Sequence, residues 1–114
     1  MADLDGRVIA IAGAAGGLGP TVAKRLADDG ATIAATDVHQ ERLDQLKTDL
    51  ALPEDRFDGR VVDLLNEEAT KQWCEALADR FGHVDVLLHL VGGWKGGEPI
   101  ATTSLEDYEW LHDL

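Results

Sequence analysis

Four glycines within seven residues give this chain its clearest chemical signal. The segment Gly13-Ala14-Ala15-Gly16-Gly17-Leu18-Gly19 follows a short apolar run and precedes a helical pattern. Between a strand and a helix such a loop cradles phosphate: Gly13 makes a tight turn, Gly17 lets the backbone approach a pyrophosphate, and Gly19 lets the helix pack on the strand. The N–H groups and positive dipole end of the helix attract the anion. The alternative is a flexible turn without a ligand.

An acidic residue ends the second apolar run. A carboxylate at the position of Asp37 accepts the hydroxyls of an adenosine ribose and repels a 2′-phosphate. No Arg or Lys lies in the glycine loop or directly after Asp37 to offset that repulsion. The pattern therefore favours NAD over NADP. The alternatives are a strand-end carboxylate that caps the next helix, or another adenosine-containing ligand such as FAD or S-adenosylmethionine.

Four apolar runs alternate with four helical patterns, and together they must position the glycine loop and Asp37. The predicted strands are residues 7–12, 32–37, 57–63 and 84–91. Apolar residues at helical spacing between them are Leu18, Val22 and Leu26 beside Ala23 and Ala27, then Leu43, Leu46 and Leu50, then Ala69, Trp73, Ala76 and Leu77 with Arg80. Boundary signals are Pro20 in a first turn, Gly30 as a C-terminal cap, Pro53 as a stop, Asn66 as an N-cap and a capping box at 103–106 that opens the last helix.

The order β-α-β-α-β-α-β-α predicts an α/β fold with parallel strands joined by right-handed crossovers. The predicted strands are apolar at nearly every position, as expected when helices cover both faces of the sheet. We therefore predict a three-layer, doubly wound sheet of the Rossmann type. A hairpin at Asp58-Gly59 is the local alternative, although few alternating residues flank it.

Composition excludes several classes of protein. Ten Lys and Arg against 22 Asp and Glu give a net charge of −12, which repels nucleic-acid phosphates. No apolar run is long enough to span a bilayer, and the first residues do not resemble a secretory signal. A single cysteine, Cys74, fits a reducing compartment, and the four histidines show no zinc-ligand spacing. We therefore expect a cytoplasmic chain without nucleic-acid partner, membrane segment or metal.

The glycine spacing Gly-x-x-x-Gly-x-Gly resembles that of the short-chain dehydrogenase/reductase family, whose first loop reads Thr-Gly-x-x-x-Gly-x-Gly. Residues 85–92, Asp-Val-Leu-Leu-His-Leu-Val-Gly, are similar to the family's fourth strand, which usually ends Asn-Asn-Ala-Gly. The resemblance implies that Asp63 binds the adenine amino group and that Gly92 lies against a cofactor ribose. Ala12 departs from the usual Thr, and His89-Leu90 from the usual Asn-Asn.

The resemblance implies an NAD-dependent oxidoreductase that transfers hydride between nicotinamide and an alcohol or carbonyl substrate. The family's general acid/base is a Tyr with a Lys four residues later. The only tyrosine, Tyr108, is followed four residues later by His112. We therefore expect residues 1–114 to form one NAD-binding half-domain, cut in the helix after the fourth strand, with no catalytic residue and no activity alone. The alternative is a non-catalytic nucleotide-binding module.

The expected cofactor-binding set combines the glycine loop with the strand ends. It comprises Gly13, Ala15, Gly17, Leu18, Gly19, Asp37, Val38, Asp63, Leu64, Val91 and Gly92. Trp94 and Lys95 in the following loop contact a substrate or fill a flexible connection. In the family's strand order 3-2-1-4, the fourth strand is an open edge in this chain, so we also expect a homo-oligomer formed through that edge.

Overall fold

The computed structural model describes residues 3–114, so the first two residues of the predicted domain lie outside it. Alternating strands and helices follow the predicted order. The elements are β1 (Val8–Ala12), α1 (Gly19–Asp28), β2 (Thr32–Asp37), α2 (Gln40–Leu50), β3 (Phe57–Val61), α3 (Glu67–Phe81), β4 (Val86–His89) and α4 (Leu105–Asp113), with 3₁₀ turns at Glu54–Arg56 and Ile100–Thr102.

The four strands form one parallel sheet in the order β3-β2-β1-β4. Val8 of β1 pairs with Thr32 of β2, and Ile9 pairs with Val86 of β4. The dipeptide Asp58-Gly59 lies within β3 and runs parallel to β2, so the hairpin alternative is wrong. The strand order reverses between β1 and β4, because the connection from β3 to β4 crosses back over the sheet, and this reversal opens a crevice at the carboxyl ends of β1 and β4.

Two apolar clusters on opposite faces of the sheet confirm the three-layer arrangement. Ile11 of β1 and Ile33 of β2 pack in one cluster with α1 and with Leu43, Leu46 and Leu50 of α2, as the spacing of these leucines predicted. Ala10 and Ala34 face the other cluster, where α3 contributes Trp73 and Leu77. The central strands β1 and β2 are therefore covered on both faces, as their continuous apolar sequence predicted.

The buried face of α1 is narrower than the one predicted and is centred on its small residues. Its buried residues are Gly19, Ala23 and Ala27, whereas Leu18 is 59% exposed. A side chain at Gly19 would overlap the backbone carbonyl oxygen of Ala14, so the helix approaches the loop too closely for larger residues. Of the predicted residues, Ala23 and Ala27 form the contact and Leu26 packs partly buried against the same cluster, whereas Leu18 lies outside it.

The predicted fourth strand, residues 84–91, is shorter and more exposed than expected. Strand pairing is confined to Val86–His89, and Leu87 is 61% exposed. The reason is its position: within residues 3–114, β4 pairs with β1 alone and forms one edge of the sheet. The expectation that both faces of every strand are covered is therefore wrong for β4. The third strand likewise ends at Val61, two residues before the predicted end.

Local signals placed most helix ends correctly. Pro20 lies in the first turn of α1, Gly30 adopts a positive φ of 103° just after it, and the Asn66 side chain accepts a hydrogen bond from the Ala69 N–H at the start of α3. The capping box of α4 is shifted by one residue. Ser104, and not Thr103, is its N-cap, because the Thr103 hydroxyl donates to the Pro99 carbonyl instead.

Candidate functional site

The glycine loop begins with a left-handed turn that ties β1 to β2. Gly13 has a φ of 77°, and its N–H and that of Ala14 both donate to the Thr36 carbonyl, at 3.0 and 3.1 Å. A Cβ at Gly13 would lie 2.8 Å from the backbone carbon of Leu90, just after β4. Glycine is therefore required here twice, for the turn and for the close approach of two chain segments.

The N-terminus of α1 is left open to an anion. Leu18 is the N-cap residue of α1, and its side chain makes no capping hydrogen bond. The first turn of α1 contains no acidic residue. The helices α2, α3 and α4 each place an acidic residue in their first turn. A Cβ at Gly17 would meet no atom within 4 Å, so the approach to this turn is unobstructed. The positive end of the α1 dipole is therefore not neutralised by the protein's own residues.

The carboxylate of Asp37 links the end of β2 to the glycine loop. Its Oδ2 accepts a hydrogen bond from the Ala15 N–H at 3.1 Å. Its Oδ1 accepts from the N–H groups of Val38 at 2.8 Å and of His39 at 3.2 Å. The second pair of bonds organises the turn that leads into α2. Both N–H groups precede the helix, whose N-cap residue His39 makes no side-chain capping bond, so Asp37 does not cap the first turn of α2. Asp37 is half-buried.

A cavity of about 400 Å³ opens at the carboxyl ends of the strands. The predicted residues that line it are Gly13, Asp37, Val38, Asp63, Leu64, Val91 and Gly92. The structure thus brings together residues from the ends of β1, β2, β3 and β4 that are far apart in sequence. Asp63 itself is exposed, and its Oδ1 accepts from the Leu65 N–H at 3.0 Å.

The other predicted residues, Ala15, Gly17, Leu18 and Gly19, do not line the cavity but lie beside it in the loop and the first turn of α1. Ala15 is joined to the cavity through its hydrogen bond to Asp37. A ligand that extends from the cavity toward the N-terminus of α1 therefore crosses Gly16 and Gly17. The geometry fits an elongated, anionic ligand.

Sequence reasoning missed two side chains of the cavity that come from the start of α2. His39 and Arg42 line the same space as Asp37. The residues directly after Asp37 include no Arg or Lys, and Arg42 reaches the cavity because α2 begins at Gln40. A spacing of three residues brings side chains to one side of a helix, and that periodicity was the available signal. His89, the departure from the family pattern, also lines the cavity.

Asp85 joins β1 to β4 at the ends of these strands that lie away from the 400 Å³ cavity. Its Oδ2 accepts from the Val8 N–H at 2.8 Å, and Arg7 and His83 lie at 3.5 and 3.1 Å from its carboxylate oxygens. The bond from Val8 and the neighbouring positive groups hold the pKa of Asp85 below its ordinary value of 3.8. This carboxylate positions the strands and is remote from the cavity.

A second cavity, of about 330 Å³, lies between α2, β3 and α3 and is lined by ion pairs. Asp58 is 3% exposed, and its oxygens pair with Arg60 at 3.0 Å and with Arg80 at 2.7 Å. Lys47 and Glu54 at its rim pair with each other at 3.1 Å. These groups satisfy one another and cross-link β3 to α3.

A family model described as short chain dehydrogenase matches residues 7–114. The chain belongs to the short-chain dehydrogenase family. It is similar to a serine 3-dehydrogenase from Rhizobium radiobacter, with 32% identity over 92% of this chain and 41% of the relative. It is also similar to an NADP-dependent 3-hydroxy acid dehydrogenase from Escherichia coli, with 29% identity over 93% of this chain and 42% of the relative.

Solved structures of the family share the fold. A glucose/ribitol dehydrogenase from Brucella melitensis superposes with a TM-score of 0.90 and 25% identity over 98% of this chain and 46% of that chain. An NAD⁺-bound xylitol dehydrogenase superposes with a TM-score of 0.88 and 25% identity over 96% of this chain and 42% of that chain. The chain thus spans about two fifths of the length of the curated relatives described above. Members of this family work with nicotinamide cofactors, and the family match by itself does not distinguish NAD from NADP.

Proposed function

We propose that the 400 Å³ cavity, together with the N-terminus of α1, binds NAD(H). The observation that carries this proposal is the meeting of Asp37, Asp63 and Gly92 around one cavity, with the glycine loop hydrogen-bonded to Asp37 at its side. Parallel α/β sheets bind ligands in this crevice, outside the carboxyl ends of the strands where the strand order reverses. The residues present fit such a cofactor, because the helix end is uncapped and Gly17 is unobstructed.

Each part of the site has a distinct task. The N–H groups of the first turn of α1, next to Gly17, hold the pyrophosphate. Asp37 accepts the hydroxyls of the adenosine ribose, and Asp63 accepts from the adenine amino group. Val91 and Gly92 offer a flat backbone to the second ribose. When bound, the nicotinamide supplies the hydride acceptor or donor, and the protein residues orient it.

The choice of NAD over NADP rests on the charge at Asp37. A 2′-phosphate near that carboxylate would be repelled by roughly 1–4 kcal/mol for charges about 4 Å apart, depending on the effective dielectric. Asp63 in the same cavity adds to the repulsion, and Arg42 offsets part of it. The remaining electrostatic penalty predicts that NAD(H) binds at least about tenfold more tightly than NADP(H).

Calorimetric titration with NADH and NADPH tests this proposal. We expect tighter binding of NADH, and we expect Asp37→Ala to narrow the difference by weakening NADH binding more than NADPH binding. Asp49→Ala, an exposed aspartate on α2, is the matched control and should change neither affinity. Equal affinities in the unchanged protein, or tighter NADPH binding, would refute the assignment.

The whole protein's activity follows by extension. We propose an NAD-dependent oxidoreductase that exchanges hydride between nicotinamide and a small-molecule alcohol or carbonyl substrate. Within the 114 residues no Tyr is followed four residues later by Lys, so the segment lacks the family's general acid/base. If the whole protein binds NADH but never turns it over, the alternative of a nucleotide-binding module is correct.

Two further expectations concern the surroundings of the protein. Among residues 3–114, no helix has both the length and the apolar character needed to cross a membrane. We propose a cytoplasmic location, where nicotinamide cofactors are available. We also propose that the 114-residue chain, when studied by itself, associates with a second copy, because among residues 3–114 β4 pairs with β1 alone and leaves one edge of the sheet open.

A further inference from the structure

The acceptor capacity of Asp37 is almost used up by the protein's own backbone. A carboxylate offers about four acceptor positions on its two oxygens. The N–H groups of Val38 and His39 take two on Oδ1, and the N–H of Ala15 takes one on Oδ2. A ribose that presents two neighbouring hydroxyls brings two donors to this carboxylate, for which about one position is left.

The three backbone bonds differ in how readily they exchange. Those from Val38 and His39 are local, because the donors directly follow Asp37 in the chain. The bond from Ala15 joins two distant segments, and its donor lies in a loop that contains Gly13, Gly16 and Gly17. It also lies on Oδ2, the oxygen that has a free position. Ala15 is therefore the donor that gives way.

We propose that Asp37 is a latch for the glycine loop. In the free protein its carboxylate holds the loop against β2 through the Ala15 N–H. When NAD(H) binds, Asp37 exchanges this N–H for a ribose hydroxyl and so frees the loop amide to donate to the cofactor. Asp37 loses no hydrogen bond in this exchange, and the loop is kept near its binding position beforehand. The exchange step deepens the proposed function and rests on it. The latch in the free protein does not depend on cofactor binding.

The variant Asp37→Asn isolates the latch. An asparagine keeps one carbonyl oxygen for the N–H groups of Val38 and His39, but its amide nitrogen cannot accept from Ala15. Hydrogen exchange of the free protein should become roughly tenfold faster at the Ala15 amide, because a charge-assisted bond has been removed. The amides of Ile9 and Ile11 in β1 should keep their rates. Asp49→Asn is the charge-matched control and should leave all of these rates unchanged.

Two results overturn the latch. The first is an unchanged exchange rate at Ala15 in Asp37→Asn. The second is an equal acceleration at Ala15, Ile9 and Ile11, which would show that Asp37 stabilises the whole fold and does not hold the loop specifically.

The exchange step is tested in the unchanged protein, so it does not depend on the folding of any variant. In a crystal structure of the NADH complex, the Ala15 nitrogen and Asp37 Oδ2 should be separated by more than about 3.5 Å, the limit of a hydrogen bond. A bond that stays at 3.1 Å in the complex refutes the exchange. A protein that binds no NADH refutes the proposed function instead, and the exchange rates of the free protein then still decide whether the latch exists.

Discussion

Replacing Gly17 by alanine separates ligand binding from folding. A methyl group at this position would meet no atom of the described protein within 4 Å, and Gly17 does not have a positive φ. The substitution therefore introduces neither overlap nor backbone strain. Because alanine restricts the unfolded chain more than glycine does, the free energy of unfolding should stay the same or rise by up to about 1 kcal/mol.

The effect on the cofactor should be large. If the pyrophosphate lies against the backbone at Gly17, a methyl group there pushes it away from the N–H groups of the first turn of α1. Each hydrogen bond to a charged group contributes about 1.5–3 kcal/mol. The loss of one such bond corresponds to a Kd for NADH that is roughly ten- to 150-fold higher.

Calorimetric titration and urea denaturation of the same preparation measure both quantities. Gly19→Ala is the informative contrast, because its methyl group would overlap the carbonyl oxygen of Ala14 and should destabilise the fold by about 1–3 kcal/mol. If Gly17→Ala binds NADH as tightly as the unchanged chain, the phosphate does not pass over Gly17, and the assignment of this loop is wrong.

Four further outcomes are expected. Asp58→Ala removes the carboxylate that Arg60 and Arg80 share, and urea denaturation should show a loss of about 1–3 kcal/mol, since both guanidinium groups remain partly solvated. The bond from the Val8 N–H lowers the pKa of Asp85 in the folded protein. Its stabilising effect is therefore fully present at pH values above the ordinary pKa of 3.8 and is lost as the pH falls through the lower folded-state pKa. The Tm difference between the unchanged chain and Asp85→Asn should accordingly shrink in acid, and a constant difference would contradict this. Sedimentation equilibrium at micromolar concentration should show self-association through the edge of β4, and a clean monomer would refute it. The 114-residue chain should turn over no cofactor with a panel of alcohols and ketones.

Most of the architecture was predictable because the local signals agree with one another. The second strand was placed correctly at Thr32–Asp37, and the buried face of α2 was identified from Leu43, Leu46 and Leu50. In each case hydrophobic spacing and boundary residues pointed to the same element, and tertiary contacts did not have to override them. The order of elements then limited the sheet to few topologies.

The failures occurred where a neighbouring segment decides the outcome. The spacing of Leu18, Val22 and Leu26 is a good helical stripe, yet the exposed Leu18 is not part of the buried face, which begins instead at Gly19, close to the backbone of Ala14. Periodicity reports which residues share a face, but it does not report how close the partner is. Similarly, the apolar sequence of β4 does not show that β4 pairs with β1 alone among residues 3–114, or that its side chains are exposed there.

In the candidate site, too, some contacts could be predicted from the sequence and others could not. Glycine spacing and a strand-end carboxylate were enough to predict that Gly13 and Asp37 lie together, because parallel strands bring their carboxyl ends to one edge, and both residues line one cavity. The bond between Asp37 and the Ala15 N–H has no sequence signal, since any residue supplies a backbone N–H. It depends on the left-handed turn at Gly13 and on the two bonds from that turn to the Thr36 carbonyl, which bring the loop beside β2. A residue predicted from the sequence to contact a ligand thus also bonds to the glycine loop, and this second contact is visible only in the folded chain.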